Sequence, residues 1–254
     1  MFAYAINIAL RLKQCLAGDS MWISRYVVEL VIISFLGWIW ESVYCTICNG
    51  RWESRGFLFG PVCPIYGVGA LGGFAFLDIL KLNGQPVPAW WVIFLIGFFG
   101  SAVLEFCTSL ALEKLFHACW WDYSKMPLNI QGRICLPASL GFAAAGLLVA
   151  YVLYPFCNQV FSLIPGEYVE AAALLFAVMI ASDMTMTVIS LTDVLNKVLQ
   201  IDENIHEHIS ERVDVLYRSM NRMNKSVVAR IREVRLTKPD QSQLFRKLIE
   251  KIKK

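Results

Sequence analysis

Five stretches of this chain are each apolar over a length that matches the core of a lipid bilayer: Tyr26 to Cys48, Phe57 to Leu77, Ala89 to Leu112, Ile134 to Phe156 and Tyr168 to Leu191. A bilayer-crossing helix needs about 20 mostly apolar residues. Inside hydrocarbon every backbone amide must be satisfied internally, which leaves only helices and closed barrels. The stretches lack the apolar-polar alternation of barrel strands, so they predict five transmembrane helices, and the second and fourth contain no charged residue at all. With 57% apolar and 17% charged residues, the composition also departs from that of an average soluble domain. The expected fold class is all-α, a polytopic transmembrane bundle. Residues 25–192 form the membrane domain, 1–24 an interfacial amphipathic segment and 193–254 a cytoplasmic helical tail.

The bundle carries an internal duplication. In residues 26–79 a Glu inside an apolar stretch (Glu41) is followed by a Trp-acid pair (Trp52-Glu53) and then by Gly60-Pro61-Val62-Cys63 opening another apolar stretch. In residues 89–156 the same order recurs as Glu105, Trp121-Asp122 and Gly132-Arg133-Ile134-Cys135, with a longer loop in the second copy. An even number of spans separates the copies, so the two hairpins should be parallel, with both loops on one face. Arg51 and Arg55 lie in the first loop, Lys125 and Arg133 in the second and many more basic residues in the tail, whereas the opposite loops hold Lys81 alone. By the positive-inside rule the Trp-acid loops and the tail are cytoplasmic, in a plasma-membrane protein with its amino terminus outside. The first twenty residues do not fit a signal peptide, because Arg11, Lys13 and Asp19 interrupt the apolar part.

Past Leu191 the apolar spacing becomes periodic. Val194, Val198, Ile201, Ile205, Ile209, Val213, Leu216, Met220, Met223, Val227, Ile231 and Val234 recur at steps of three and four. This predicts one long amphipathic, coiled-coil-like helix leaving the membrane, whose stripe needs cover from a second copy or from the membrane core. A homodimer through the C-terminal helix is the simpler expectation. Thr237-Lys238-Pro239 ends the pattern, and a basic amphipathic helix follows. The net charge of +3 comes from the tail; it suits anionic lipid and not nucleic acid.

Carboxylates inside a span usually face a partner or water, which singles out Glu105 and Asp183, an intramembrane acid, together with Glu41 as the counterpart of Glu105. Each Glu either serves a polar site or simply pairs with a loop arginine, Arg55 or Arg133, to fasten its hairpin; the two roles are compatible. Gly60-Pro61-Val62-Cys63-Pro64 reads as a stiff helix entry or as a re-entrant segment with free amides, and the glycines that follow favour close helix packing. The loop residues Trp121, Asp122, Tyr123, Asn129 and Arg133 are more polar than membrane anchoring needs, so with Glu41, Arg55 and Glu105 they form the candidate substrate-binding set. Cys45-x-x-Cys48 has zinc-type spacing but lies on a helical face, and His117-x-Cys119 lacks the usual separation, so no metal is expected, and no cofactor either. The thiols read as small packing residues held reduced at the cytoplasmic side. No nucleotide-binding glycine loop and no His-based hydrolase motif is present.

At Phe35-Leu36-Gly37-Trp38-Ile39-Trp40-Glu41, Arg55 to Gly67, Leu112 to His117, Trp120 to Ser124, Asn129 and Gly132 to Leu136, the sequence resembles the bacterial membrane-protein family of ABC-transporter type IV. The resemblance covers about residues 25–160 and implies a bacterial multi-pass protein; it carries over no substrate and no catalytic residue, and it leaves the tail unexplained. The expected function is a permease-type membrane protein moving a small molecule or ion, with any ATP hydrolysis supplied by a separate ATPase subunit. The alternatives are a membrane-embedded enzyme acting on a lipid or lipid-linked substrate, with Glu105 or Glu41 as acid or base, and a scaffold or sensor acting through its tail.

Overall fold

The computed structural model describes residues 21–50, 52, 54–199, 209–234 and 239–253. Most of the expected interfacial segment, the acidic partner Glu53 and the stripe residues Ile201 and Ile205 lie outside them. Helix α1 covers Met21–Asn49, α2 Pro64–Leu82 and α3 Trp90–Phe116. A two-residue strand, β1 (Ala118–Cys119), precedes α4 (Leu136–Leu148), which runs through a π-wound turn (Val149–Leu153) into α5 (Tyr154–Leu163). Helix α6 follows at Gly166–Leu199. Five helices, Trp22–Cys48, Pro64–Leu82, Trp90–Phe116, Leu136–Leu163 and Gly166–Leu199, are long and apolar enough to cross a membrane. The π turn has a local cause: Pro155 sits in the helix interior, where it lacks an N–H and crowds the preceding turn, and the Tyr154 N–H reaches back to the Val149 carbonyl.

The second span starts later than its apolar sequence suggests. Residues 57–63 are not helical. Gly56 takes φ +98°, and the prolines at positions 61 and 64 remove donors and push Gly60 and Cys63 away from helical conformation. The chain instead folds back alongside α1. The Arg55 N–H donates to Ser42 Oγ at 3.3 Å, and the Cys63 N–H reaches the Ser34 carbonyl at 3.0 Å, in the middle of α1. Gly67 then lets α2 press on α1, since a Cβ there would lie 2.3 Å from Ser34 Oγ and 2.6 Å from the Leu30 carbonyl. The second loop does likewise: the chain turns back after α3, and Cys135 precedes an α4 that opens on Leu136-Pro137. Both loops meet at one end of the bundle, where Phe57 packs against Phe116 and Trp120 at centroid distances of 5.6 and 5.3 Å.

The tail corrects the sequence reading. It does not continue as one long coiled-coil-like helix: α7 (Ile209–Ser219) ends before Asn221, α8 occupies Arg222–Arg230, β2 Glu233–Val234, and α9 Pro239–Lys253. Asn221 breaks the pattern because its side chain caps the next helix, accepting from the Asn224 N–H at 2.8 Å. The apolar stripe was real, but its cover comes from within the chain. Val194, Val198, Ile209, Val213, Leu216, Met220, Val227 and Ile231 are buried with Leu244, Phe245, Leu248 and Ile249 of α9, and Phe57 and Trp121 of the loops with Phe116 at the end of α3 close the same core. Strand β2 pairs antiparallel with β1. Folding back removes the reason for expecting a second copy on that stripe.

Leu248 is fully buried and Val215 is 61% exposed. Leu248→Ala should therefore destabilise the tail by about 2–5 kcal/mol and Val215→Ala by less than about 0.5 kcal/mol. Both values are readable from hydrogen exchange of the α8 amides, and equal effects would contradict this packing.

Candidate functional site

The fold-back of the two loops carries polar side chains to a common centre at the beginnings of α2 and α4. Glu105, on α3, is only 4% exposed. Its Oε1 accepts from the Tyr123 hydroxyl at 3.3 Å, and its Oε2 is buried without a hydrogen-bond partner among the described residues. Glu41, on α1, lies close enough to interact electrostatically with Glu105. The Cys63 thiol faces Glu41 Oε2 at 3.7 Å, and the Tyr66 hydroxyl and Arg55 guanidinium bear on the same carboxylate. Tyr66 interacts with both acids and with Tyr123, so the two phenols and the two carboxylates form one interacting group. Glu41, Tyr66 and Tyr123 keep partial exposure, and through them the centre reaches the surface.

Burial and the Glu41 charge push the Cys63 thiol upward in pKa. Burial and the Glu105 charge do the same for the Tyr123 phenol. Both groups therefore stay protonated and act as donors toward carboxylates, so Cys63 is no thiolate nucleophile. Among the described residues no set of three or more His, Cys, Asp or Glu stands close enough to hold a metal ion.

The other candidate residues do different work. Arg133, 6% exposed, pairs with Glu113 at 2.6 Å and donates to Ser109 Oγ at 3.1 Å and Gln131 Oε1 at 3.3 Å, so its charge is committed away from Glu105. Trp121 Nε1 donates to the Arg133 carbonyl at 2.9 Å. Asp122 accepts from the Ser124 N–H and hydroxyl, both at 2.9 Å. Asn129 donates to the carbonyls of Ser124 and Met126 and accepts from the Gly132 N–H. These three residues build the second loop, whose Gly132 sits at φ +69° with Asp122 where a Cβ would be.

Asp183 holds the first loop. Its two oxygens accept from the N–H groups of Phe59 and Gly60, each at 2.9 Å, so the amides that a re-entrant segment leaves free are taken by a carboxylate of α6. From the tail, Arg230 donates to the carbonyls of Leu58 and Phe59. Burial pulls the Arg230 pKa down, and the Asp183 charge partly offsets this.

Sequence reasoning missed Tyr66, Glu113 and Arg230, whose partners are distant in sequence. It also missed a second polar cluster at the far end of the bundle. There Glu29, 1% exposed, pairs with Arg25 at 2.8 Å, and Asp78 accepts from Tyr26 and Tyr154. The four-residue spacing of Arg25 and Glu29 was a usable signal.

A family model matches residues 28–188, from the first turns of α1 into α6. The chain belongs to the family described as "Putative ABC-transporter type IV". No curated protein and no solved structure matches the chain. Both loops, both acids and Asp183 fall inside the family match, while Arg230 and the tail helices fall outside it. Family and apolar helices together make this a multi-pass membrane protein related to transport.

Arg133→Ala removes the arginine from Glu113, a partly buried carboxylate that keeps the Cys119 thiol as a donor, and should cost about 1.5–3 kcal/mol. Adding Glu113→Gln should recover much of that loss, and adding Glu105→Gln should recover none. Unfolding titrations of the single and double variants in detergent measure the couplings, and coupling of Arg133 to Glu105 alone would contradict the assignment.

Proposed function

We propose that this chain is a permease-type component that moves a small molecule or ion, with the Glu41–Glu105 centre as its substrate site. The observation that carries the proposal is the convergence of an acid and a tyrosine from each hairpin at the entries of α2 and α4. A polar site at the interface of two repeats, where spans are interrupted, suits alternating access. We read the site as open to the cytoplasm, because the loops beside it and the tail carry most of the basic residues. The parallel arrangement of the two repeats belongs to this reading and is supported by the meeting of their loops at one end. The sequence has no nucleotide-binding glycine loop, so coupling to ATP would need a separate subunit.

Deleting the gene and restoring it as wild type or as Glu105→Gln, with both proteins expressed at equal levels, tests the proposal through profiles of intracellular solutes and lipids. The expected result is that one class of small solute changes on deletion and returns with the wild type but not with Glu105→Gln, while lipid composition stays constant. A change confined to lipid species would contradict the proposal and favour the enzyme.

A further inference from the structure

Among the described residues Glu105 has no cationic partner. Arg55 bears on Glu41, Arg133 is held by Glu113, Ser109 and Gln131, and among the described residues the group that hydrogen-bonds to Glu105 is the neutral Tyr123 hydroxyl. Its second oxygen is buried without a hydrogen-bond partner among the described residues. An isolated carboxylate inside an apolar span is costly and is usually kept for a cationic partner.

The surroundings select among cations. A hard metal ion asks for six or more oxygens, or a near-ideal octahedron, and no metal-holding set exists among the described residues. A primary ammonium asks for less: three N–H donors need three acceptors. The free oxygen of Glu105, the oxygen of a neighbouring phenol, Tyr66 or Tyr123, and the Glu41 carboxylate meet that number.

We propose that the Glu41–Glu105 centre binds a primary ammonium group, with Glu105 as its anchoring carboxylate. As a statement about transported substrate this rests on the permease reading; as a statement about binding it stands alone. The acceptors come from α1, α2, α3 and the loop before α4, so an ammonium seated among them ties the first hairpin to the second.

The test uses the purified full-length protein in detergent, with thermal unfolding followed by tryptophan fluorescence during titration with ethylammonium chloride. Sodium, potassium and tetramethylammonium chlorides serve as arms at equal ionic strength, the last carrying the charge without N–H donors. The expected result is a saturable rise in unfolding temperature with ethylammonium alone. The rise should be lost in Glu105→Gln, persist in the exposed-site control Glu170→Gln, and require at least about tenfold more ligand in Tyr123→Phe. If Glu105→Gln does not fold, Glu105→Asp should show weakened binding of the same kind. An equal rise with sodium, potassium or tetramethylammonium, no rise in wild type, or an undiminished rise in the Glu105 variants would overturn the proposal. Ethylammonium binding without any solute phenotype would count against the permease reading alone, and a solute phenotype without ethylammonium binding against the ammonium site alone.

Discussion

Backbone that leaves the helix beside an apolar bundle must find its hydrogen bonds within the protein, and the arrangement of the loop before α2 follows from that requirement. Between Gly56 and Pro64 the chain gives up helical bonding. Phe59 and Gly60 donate to Asp183, Cys63 donates to Ser34, and the carbonyls of Leu58 and Phe59 accept from Arg230. Asp183 thus stands deep in α6 as the acceptor for two amides without a helical partner. Because Asp183 and Arg230 seize opposite sides of the same peptide units, the loop joins the membrane bundle to the tail and fixes where Cys63 and Tyr66 stand relative to Glu41.

The two loops give the centre its form, and the differences between them give it its chemistry. Each copy supplies an acid before its loop and a cysteine at the entry of the returning helix. In the first copy a loop arginine, Arg55, stays with the acid. In the second, Arg133 turns to Glu113, about two turns further along α3, and the longer loop brings Tyr123 to Glu105 instead. The net effect is one carboxylate that an arginine bears on and one whose described hydrogen-bond partner is a neutral phenol. Without its longer loop the second copy would have no evident means of placing a phenol against Glu105.

The elements that rest on composition or local pattern were legible in the sequence. The five spans, the two acids, their shared end of the bundle and the apolar stripe of the tail all follow from residue type and spacing. What periodicity cannot reveal is the partner of a buried face. The stripe from Val194 to Ile231 needed cover, and only the fold shows α9 supplying it. Likewise Arg133 stood in sequence where a partner for Glu105 was expected, yet Glu113 is the acid it meets. The late start of α2 was written in Gly60, Pro61 and Pro64, although apolar content alone argued for an earlier one. Glu29 and Asp78 sat at the margins of apolar runs, where a charge is easily read as a boundary.

Asp183 pins the first loop against the bundle and so shields Cys63, which is 2% exposed. The most direct test is the rate at which a thiol reagent labels Cys63 and Cys135, located by mass spectrometry, in the wild type and in Asp183→Ala. Loss of two charge-assisted hydrogen bonds, each contributing about 1.5–3 kcal/mol, should speed labelling of Cys63 by at least about tenfold and leave Cys135 unchanged. Equal rates at Cys63 in the two proteins, or acceleration at both cysteines alike, would show that Asp183 does not hold this loop over Cys63.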